Sequence, residues 1–278
     1  MIRARKRFGQ HFLEPVWAAR VAEACQPQTD DQMVEIGPGT GAITLPLVPR
    51  VGRMLAFEVD RDLAARLVAR QVPGLTVHTG DVLEDDVDAA LDAWLAAGRP
   101  DSRFRVVGNL PYNISSPILY MLTRWWRRWP GLVDATVMLQ ADVADRLVAK
   151  PSTGEYGVLT LITSMSAEVT RVLELPPGAF RPQPKVRSTL VRLRFRAPEP
   201  PVPHPDVLDR LVRVAFTQRR KTLANTLKAV AGADGLEIAA VLAAAGIDGR
   251  RRPETLHLVE YSALADAWQA ARPPSSVL

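Results

Sequence analysis

A chain of 278 residues accommodates one sizeable domain and a smaller one, and an apolar share of 47% beside 23% charged residues marks it as globular. The single cysteine, Cys25, excludes an intramolecular disulfide and a cysteine-built zinc site, which suits a cytoplasmic protein, and the four histidines lack metal-ligand spacing, so no metal is expected. No apolar run nears the roughly 20 residues that cross a bilayer, whereas the formal net charge of +5 fits a polyanionic partner.

The chain opens on a basic arm, Arg3, Arg5, Lys6 and Arg7, ahead of the first acid, Glu14. No apolar stretch follows, so the arm does not read as a leader. Arg5, Lys6 and Arg7 are candidates for gripping the phosphates of a nucleic acid.

Met33–Ile36 is the first buried strand expected, and it runs into Gly37-Pro38-Gly39-Thr40-Gly41. Glycines there let the backbone pass close to a ligand, and a G-x-G-x-G turn at the end of a parallel strand is a nucleotide site. Pro46 and Pro49 fall where the following helix should run, so that helix is expected to be short or kinked. A second strand, Met54–Phe57, ends at Glu58, 21 residues after Gly37. A carboxylate in that place can accept both ribose hydroxyls. Asp60 is a plausible N-cap for a helix over Arg61–Arg70.

The third strand, Leu75–Val77, leads to Asp81, which can accept from an adenine amino group. Two acids spaced in this way favour S-adenosylmethionine over NAD. The fourth strand, Phe104–Val107, runs into Gly108-Asn109-Leu110-Pro111-Tyr112-Asn113. An exocyclic adenine amine is a poor nucleophile, because its lone pair is delocalised into the ring. The Asn109 side-chain oxygen and the Leu110 carbonyl could accept its two protons and aim the lone pair at a sulfonium methyl. Pro111 stiffens the turn, and Tyr112 offers a ring for the base.

Ile118, Leu122, Trp125 and Trp129 share one helix face, so both tryptophans read as core. Ala135–Leu139 is a fifth strand. Alternating strands and helices imply a parallel sheet covered on both faces. Glu168–Glu174 and Ser188–Phe195 are two further strands, expected to pair antiparallel across a proline-rich loop. A mostly parallel sheet finished by one antiparallel strand is the Rossmann-like arrangement of S-adenosylmethionine methyltransferases, an α/β fold. Ala197–Pro205 holds five prolines in nine residues and reads as a stiff linker. Helical periodicity then runs from Asp206 to Ala271. The expected division is a methyltransferase domain over 1–197, a linker over 198–205 and a small helical RNA-binding domain over 206–278. Arg219, Arg220 and Lys221, expected on a helix of that domain, are further candidates for RNA phosphates.

Several blocks in this order, among them GQHFL, VEIGPGTGAIT, GNLPYNISSPIL, LPPGAFRPQPKV and FTQRRKTLANTL, resemble the KsgA (RsmA) family of rRNA adenine N6,N6-dimethyltransferases. The resemblance runs from about Arg5 to Leu227, and more loosely to the end. It implies S-adenosyl-L-methionine as cofactor, with contacts at Leu13, Gly37, Glu58, Asp81 and Asn109, to which the glycine-rich turn adds Gly39. It adds Phe180 to Asn109, Leu110, Pro111 and Tyr112 as a second ring stacking on the target base. The implied substrate is two adjacent adenosines in the 3′-terminal hairpin loop of small-subunit (16S) rRNA, within a pre-30S particle, acted on by a monomer during ribosome biogenesis. His11 stands where the family usually has Asn at the methionine end of the cofactor; histidine can donate there but differs in reach and charge. The alternatives are a related large-subunit rRNA methyltransferase of the antibiotic-resistance type, a non-catalytic assembly factor, and a small-molecule methyltransferase.

Overall fold

A computed structural model describes residues 10–84, 86–98 and 103–272. In chain order the elements are β1 (Phe12–Leu13), α1 (Pro15–Ala24), β2 (Gln32–Ile36), α2 (Thr44–Leu47), β3 (Arg53–Glu58), α3 (Arg61–Val68), β4 (Leu75–Thr79) and α4 (Asp86–Ala96). There follow β5 (Phe104–Asn109), α5 (Ser115–Arg128), β6 (Leu132–Gln140), α6 (Ala141–Leu147), α7 (Val158–Ser164), β7 (Ala167–Leu175), β8 (Phe180–Arg181) and β9 (Ser188–Phe195). The last helices are α8 (Pro205–Thr217), α9 (Leu223–Ala233), α10 (Ile238–Ala244) and α11 (Leu258–Ala271). Among the described residues no helix is long and apolar enough to cross a membrane.

Seven strands form one sheet in the order β4-β3-β2-β5-β6-β9-β7. The pairs β2–β3, β3–β4, β2–β5 and β5–β6 are parallel, and β6–β9 is antiparallel. Every residue of β2 is buried, as a near-continuous apolar strand in the middle of such a sheet requires. The chain proceeds outward from β2 on both sides, through β3 on one and β5 on the other. That reversal of strand order opens a crevice beyond the carboxyl ends of β2 and β5. Tight pairing of β2 and β5 depends on Gly108: a Cβ there would lie 2.7 Å from the Ile36 carbonyl oxygen. The other end of the sheet is stitched by Arg105, whose guanidinium bridges Asp31 at 2.8 Å and Asp134 at 2.9 Å.

The expected strands are all present, mostly a residue or two longer than their apolar runs, and β9 spans the expected residues. Asp60 caps α3, its Oδ1 accepting from the Asp62 amide at 3.1 Å. The two prolines act as expected: α2 is four residues long and passes into a 3-10 turn over Val48–Arg50. Trp125 is fully buried on α5 and donates to Asp88. Trp129 caps that helix half-exposed, donating to Asp92. Cys25 lies in the core, where burial pushes its thiol up to about 12 and leaves it unreactive.

The chain divides into two compact units, with the last boundary after Phe195 and the segment Asp145–Ala167 grouped with the C-terminal residues. Of the described residues, the first holds those up to Ala144 together with Glu168–Phe195; the second holds Asp145–Ala167 and those from Arg196 on. The segment before β7 joins the second unit because α7, with five buried residues, packs on α8. Tyr156 Oη also donates to the Leu256 carbonyl at 2.8 Å. Within this unit α8 packs on α9 and α11 around Leu208, Leu211, Val212, Tyr261 and Trp268. Pro205 is the first residue of α8, where a missing amide hydrogen costs nothing.

Candidate active site

The crevice is built from three strand ends in the first unit. Beyond β2 the chain turns through Gly37 at φ +70° and Gly39 at φ +58°, conformations that a side chain with a Cβ resists. The Gly37 amide donates to the Phe57 carbonyl at 2.9 Å, which ties the turn to β3. Nothing lies within 4 Å of where a Gly37 Cβ would project, so the backbone there faces open space.

Glu58, at the end of β3, is 4% exposed. Its Oε2 accepts from the Gly39 amide at 2.8 Å and its Oε1 from the Asp60 amide at 2.9 Å. Burial pushes this carboxyl up, and the two amides oppose the rise. Two amide contacts fix its direction and leave lone pairs on both oxygens for a ligand. Glu58, Gly37, Gly39, His11 and Asn109 line one cleft. An adjoining lobe is lined by Phe57, Asp81, Val82 and Ile118. Gly37, Val59 and Pro111 border both lobes. Asp81 Oδ1 accepts from the Leu83 amide at 3.0 Å, which holds the carboxylate at the rim of the apolar lobe.

The opposite wall is the Asn109–Tyr112 turn after β5. The Leu110 amide donates to the Met138 carbonyl at 3.2 Å, and its side chain is buried. Asn109 Nδ2 donates to the His11 carbonyl at 2.8 Å. A carbonyl only accepts, so the Asn109 amide must turn its nitrogen toward His11, leaving Oδ1 for another donor. Tyr112 Oη shares a hydrogen bond with Ser188 Oγ at 2.8 Å. Burial pushes its phenol up, so the hydroxyl stays neutral. The His11 ring stacks on the Tyr112 ring at 5.3 Å between centroids and 22° between planes. His11 and Leu13 reach the cleft because β1 pairs with β8, Phe12 opposite Arg181 and Leu13 opposite Phe180.

The family model described as Ribosomal RNA adenine dimethylase matches residues 1–264. The chain belongs to this family. A protein of Nitrosococcus oceani named Ribosomal RNA small subunit methyltransferase A is 45% identical over 273 residues, covering 97% of this chain and 98% of that one. A dimethyladenosine transferase from Plasmodium falciparum shares the fold, with a TM-score of 0.71 at 23% identity over 91% of this chain and 96% of that chain. The 23S rRNA methyltransferase ErmE has a TM-score of 0.61 at 26% identity over 93% of this chain and 99% of that chain.

Against this adenine dimethylase frame, most residues singled out in the sequence converge. His11, Leu13, Gly37, Gly39, Glu58, Asn109, Leu110, Pro111 and Tyr112 line one lobe, and Asp81 lines the other. Phe180 does not join them. Its ring is fully buried in the core with Leu13, Val21 and Leu190, which corrects its expected role as a stacking surface: a ring with no exposed face cannot meet a base in this arrangement. Arg219, Arg220 and Lys221 lie in the turn after α8, not on a helix. The Arg219 guanidinium donates to the Thr153 and Gly154 carbonyls and faces Glu254, so it braces a loop, while Arg220 and Lys221 are exposed. Arg5, Lys6 and Arg7 lie outside the described residues.

Two site residues escape the sequence reading. Ser188, at the start of β9, anchors Tyr112. Glu35 lies within β2, 1% exposed, and borders the cleft, with Thr44 Oγ1 donating to its Oε2 at 2.6 Å. The signal was one charged residue inside an apolar strand. Burial, aided by Glu58, pushes Glu35 from an ordinary 4.5 up to about 8, so it is largely protonated at neutral pH. A carboxyl raised on folding contributes stability that is complete below about pH 4.5 and declines as the pH rises through about 8. Glu35→Gln removes this decline while keeping an acceptor for Thr44. Denaturant unfolding of the ligand-free protein is expected to show the variant gaining on wild type between pH 5 and pH 8.5. A constant difference across that range refutes the assignment.

Proposed function

We propose that the protein is an S-adenosylmethionine-dependent enzyme that dimethylates the N6 amino groups of adenosines in small-subunit rRNA. The observation that carries this reading is the Asn109 amide, turned by the His11 carbonyl so that Oδ1 is left to accept, beside a cleft that holds the buried Glu58 carboxylate.

The residues fit the cofactor. Glu58 would accept from the two ribose hydroxyls, Gly37 offers backbone with no Cβ in the way, and Asp81, which lines the apolar lobe, would accept from the adenine amino group. When bound, S-adenosylmethionine supplies an electrophilic methyl. Asn109 Oδ1 and the Leu110 carbonyl accept the two protons of the target amine, which turns its lone pair out of conjugation with the base. Tyr112 stacks on that base, and Ser188 fixes the angle of its ring. The product amine is cationic and gives up its proton readily, so no strong base is required, and the raised Tyr112 phenol is not one. In a second transfer the remaining N–H would donate to one of these two acceptors, while the first methyl would take the place of the proton that met the other.

The choice of small-subunit RNA rests on the 45% identity to a protein so named, against 26% to a 23S rRNA methyltransferase. The finer reading is two adjacent adenosines in the 3′-terminal hairpin loop, in a pre-30S particle, by a cytoplasmic monomer. Arg220 and Lys221, with Arg5, Lys6 and Arg7, would hold phosphates, which give affinity without sequence choice. The test is transfer of labelled methyl to unmethylated small-subunit particles and to unmethylated large-subunit rRNA, with stops mapped by primer extension. Two adjacent stops near the 3′ end of the small-subunit RNA are expected. Label confined to large-subunit rRNA refutes the proposal.

The cofactor assignment has its own test. Glu58→Ala removes a charged acceptor from two hydroxyls, worth about 1.5–3 kcal/mol, and also leaves the Gly39 and Asp60 amides unpaired. Titration calorimetry is expected to show at least tenfold weaker S-adenosylmethionine binding. Unchanged affinity removes Glu58 from the cofactor site.

A further inference from the structure

We infer that His11 is a positioning residue for the target base, holding Asn109 through its main chain and Tyr112 through its ring. The inference rests on the proposed roles of Asn109 and Tyr112, and it moves the His11 ring away from the methionine end of the cofactor.

Three contacts meet at this one residue. Its carbonyl accepts from Asn109 Nδ2 at 2.8 Å, which determines which end of that amide faces the cleft. Its ring stacks on Tyr112 at 5.3 Å and 22°. Its Nδ1 lies 2.7 Å from the Pro182 carbonyl oxygen. A carbonyl has no proton to give, so Nδ1 carries the hydrogen and donates. The ring is thus pinned at one edge and stacked on one face. The residue itself is placed by the β1–β8 pairing, which begins at the next residue, Phe12, opposite Arg181.

The consequence for the reaction is geometric. Tyr112 is held at its hydroxyl by Ser188 and on one face by His11, so its other face is the one offered to the base. A ring fixed before the base arrives loses no freedom on stacking, which favours a productive pose. Any residue at this position keeps the main-chain carbonyl, and the histidine ring adds the second contact.

The test uses His11→Ala, His11→Asn and His11→Phe, all of which keep the carbonyl. At saturating cofactor, Ala and Asn are expected to lower kcat on unmethylated small-subunit particles by between about twofold and about tenfold, the worth of one aromatic pair. Cofactor affinity by calorimetry should stay within about twofold. Phe should recover most of the loss. A second readout needs no turnover: the chain has four tyrosines, and the Tyr112 ring resonances of the ligand-free protein should shift in Ala and Asn and return toward wild type in Phe. The inference is overturned if cofactor affinity falls while kcat at saturation is unchanged, because the ring then serves the cofactor. It is overturned too if Ala is faster than wild type, since the ring then occupies the place of the base. Unmoved Tyr112 resonances also sink it. If the resonances move as expected but wild type transfers no methyl to the particles, the packing stands and the proposed function is what fails.

Discussion

Asn109→Ala is expected to lower methyl transfer to unmethylated small-subunit particles by about 100-fold at saturating cofactor, the loss that follows when a reacting group is misoriented. The size follows from what the amide does. Nδ2 is committed to the His11 carbonyl, so Oδ1 is held in one direction. Alanine removes both ends of that arrangement and leaves the Leu110 carbonyl alone to orient the amine. Asn109→Asp offers no repair, because a second carboxylate oxygen would then face the His11 carbonyl and repel it. Tyr112→Ala should lose the stacking energy of one base, about 1–3 kcal/mol. Tyr112→Phe should be milder, since it keeps the ring and loses only the Ser188 contact. Binding of the particles should survive in each, because the exposed cations are untouched. The measurement is single-turnover transfer of labelled methyl with saturating cofactor. Turnover near wild type in both alanine variants would remove the Asn109–Tyr112 turn from the chemistry.

What could be read from the sequence depended on whether a residue's role was local. The central strands of the parallel sheet announce themselves as short apolar runs, because both faces are covered and most of their positions are apolar. Gly37 and Asn109 were legible because each follows such a run, and in an open parallel sheet the ends of the central strands meet. The helix α1 was missed: its buried residues Ala18, Val21 and Ala22 form a weak stripe beside the exposed Val16. Glu35 was hidden by its company, an acid between two apolar residues whose partner Thr44 is nine residues on. Ser188 and Tyr112 are 76 residues apart and meet only because β9 runs beside β6. The second unit was misdrawn for the same reason. The segment 145–167 precedes β7 in sequence, yet its Tyr156 bonds to Leu256, 100 residues away. Arg219 looked like a surface cation in a basic run, and only the fold places the Thr153 and Gly154 carbonyls around it.

Phe180 is the residue at which the family resemblance and the structure disagree, and two substitutions separate the alternatives. As a core residue it shares a buried cluster with Leu13, Val21, Ala179 and Leu190, and it pairs β8 to β1 opposite Leu13. Phe180→Ala then leaves a cavity the size of a ring, with an expected loss of about 3–5 kcal/mol of unfolding free energy. Turnover should fall as well, because the loosened β8 carries β1, and β1 directs the His11 carbonyl at Asn109. A loss of activity in this variant therefore does not discriminate. Phe180→Leu does, since it keeps most of the apolar volume and gives up the flat face. For a core residue it should cost less than about 1.5 kcal/mol, and transfer to small-subunit particles should stay within about threefold of wild type. For a ring that stacks on the target base, the same variant would be equally stable yet lose about 1–3 kcal/mol of base binding, seen as a tenfold or larger drop in kcat/KM for the particles. Denaturant unfolding and steady-state transfer on the one leucine variant decide between them. A stable leucine variant with that drop would show that Phe180 leaves the core when RNA binds and would return it to the active site.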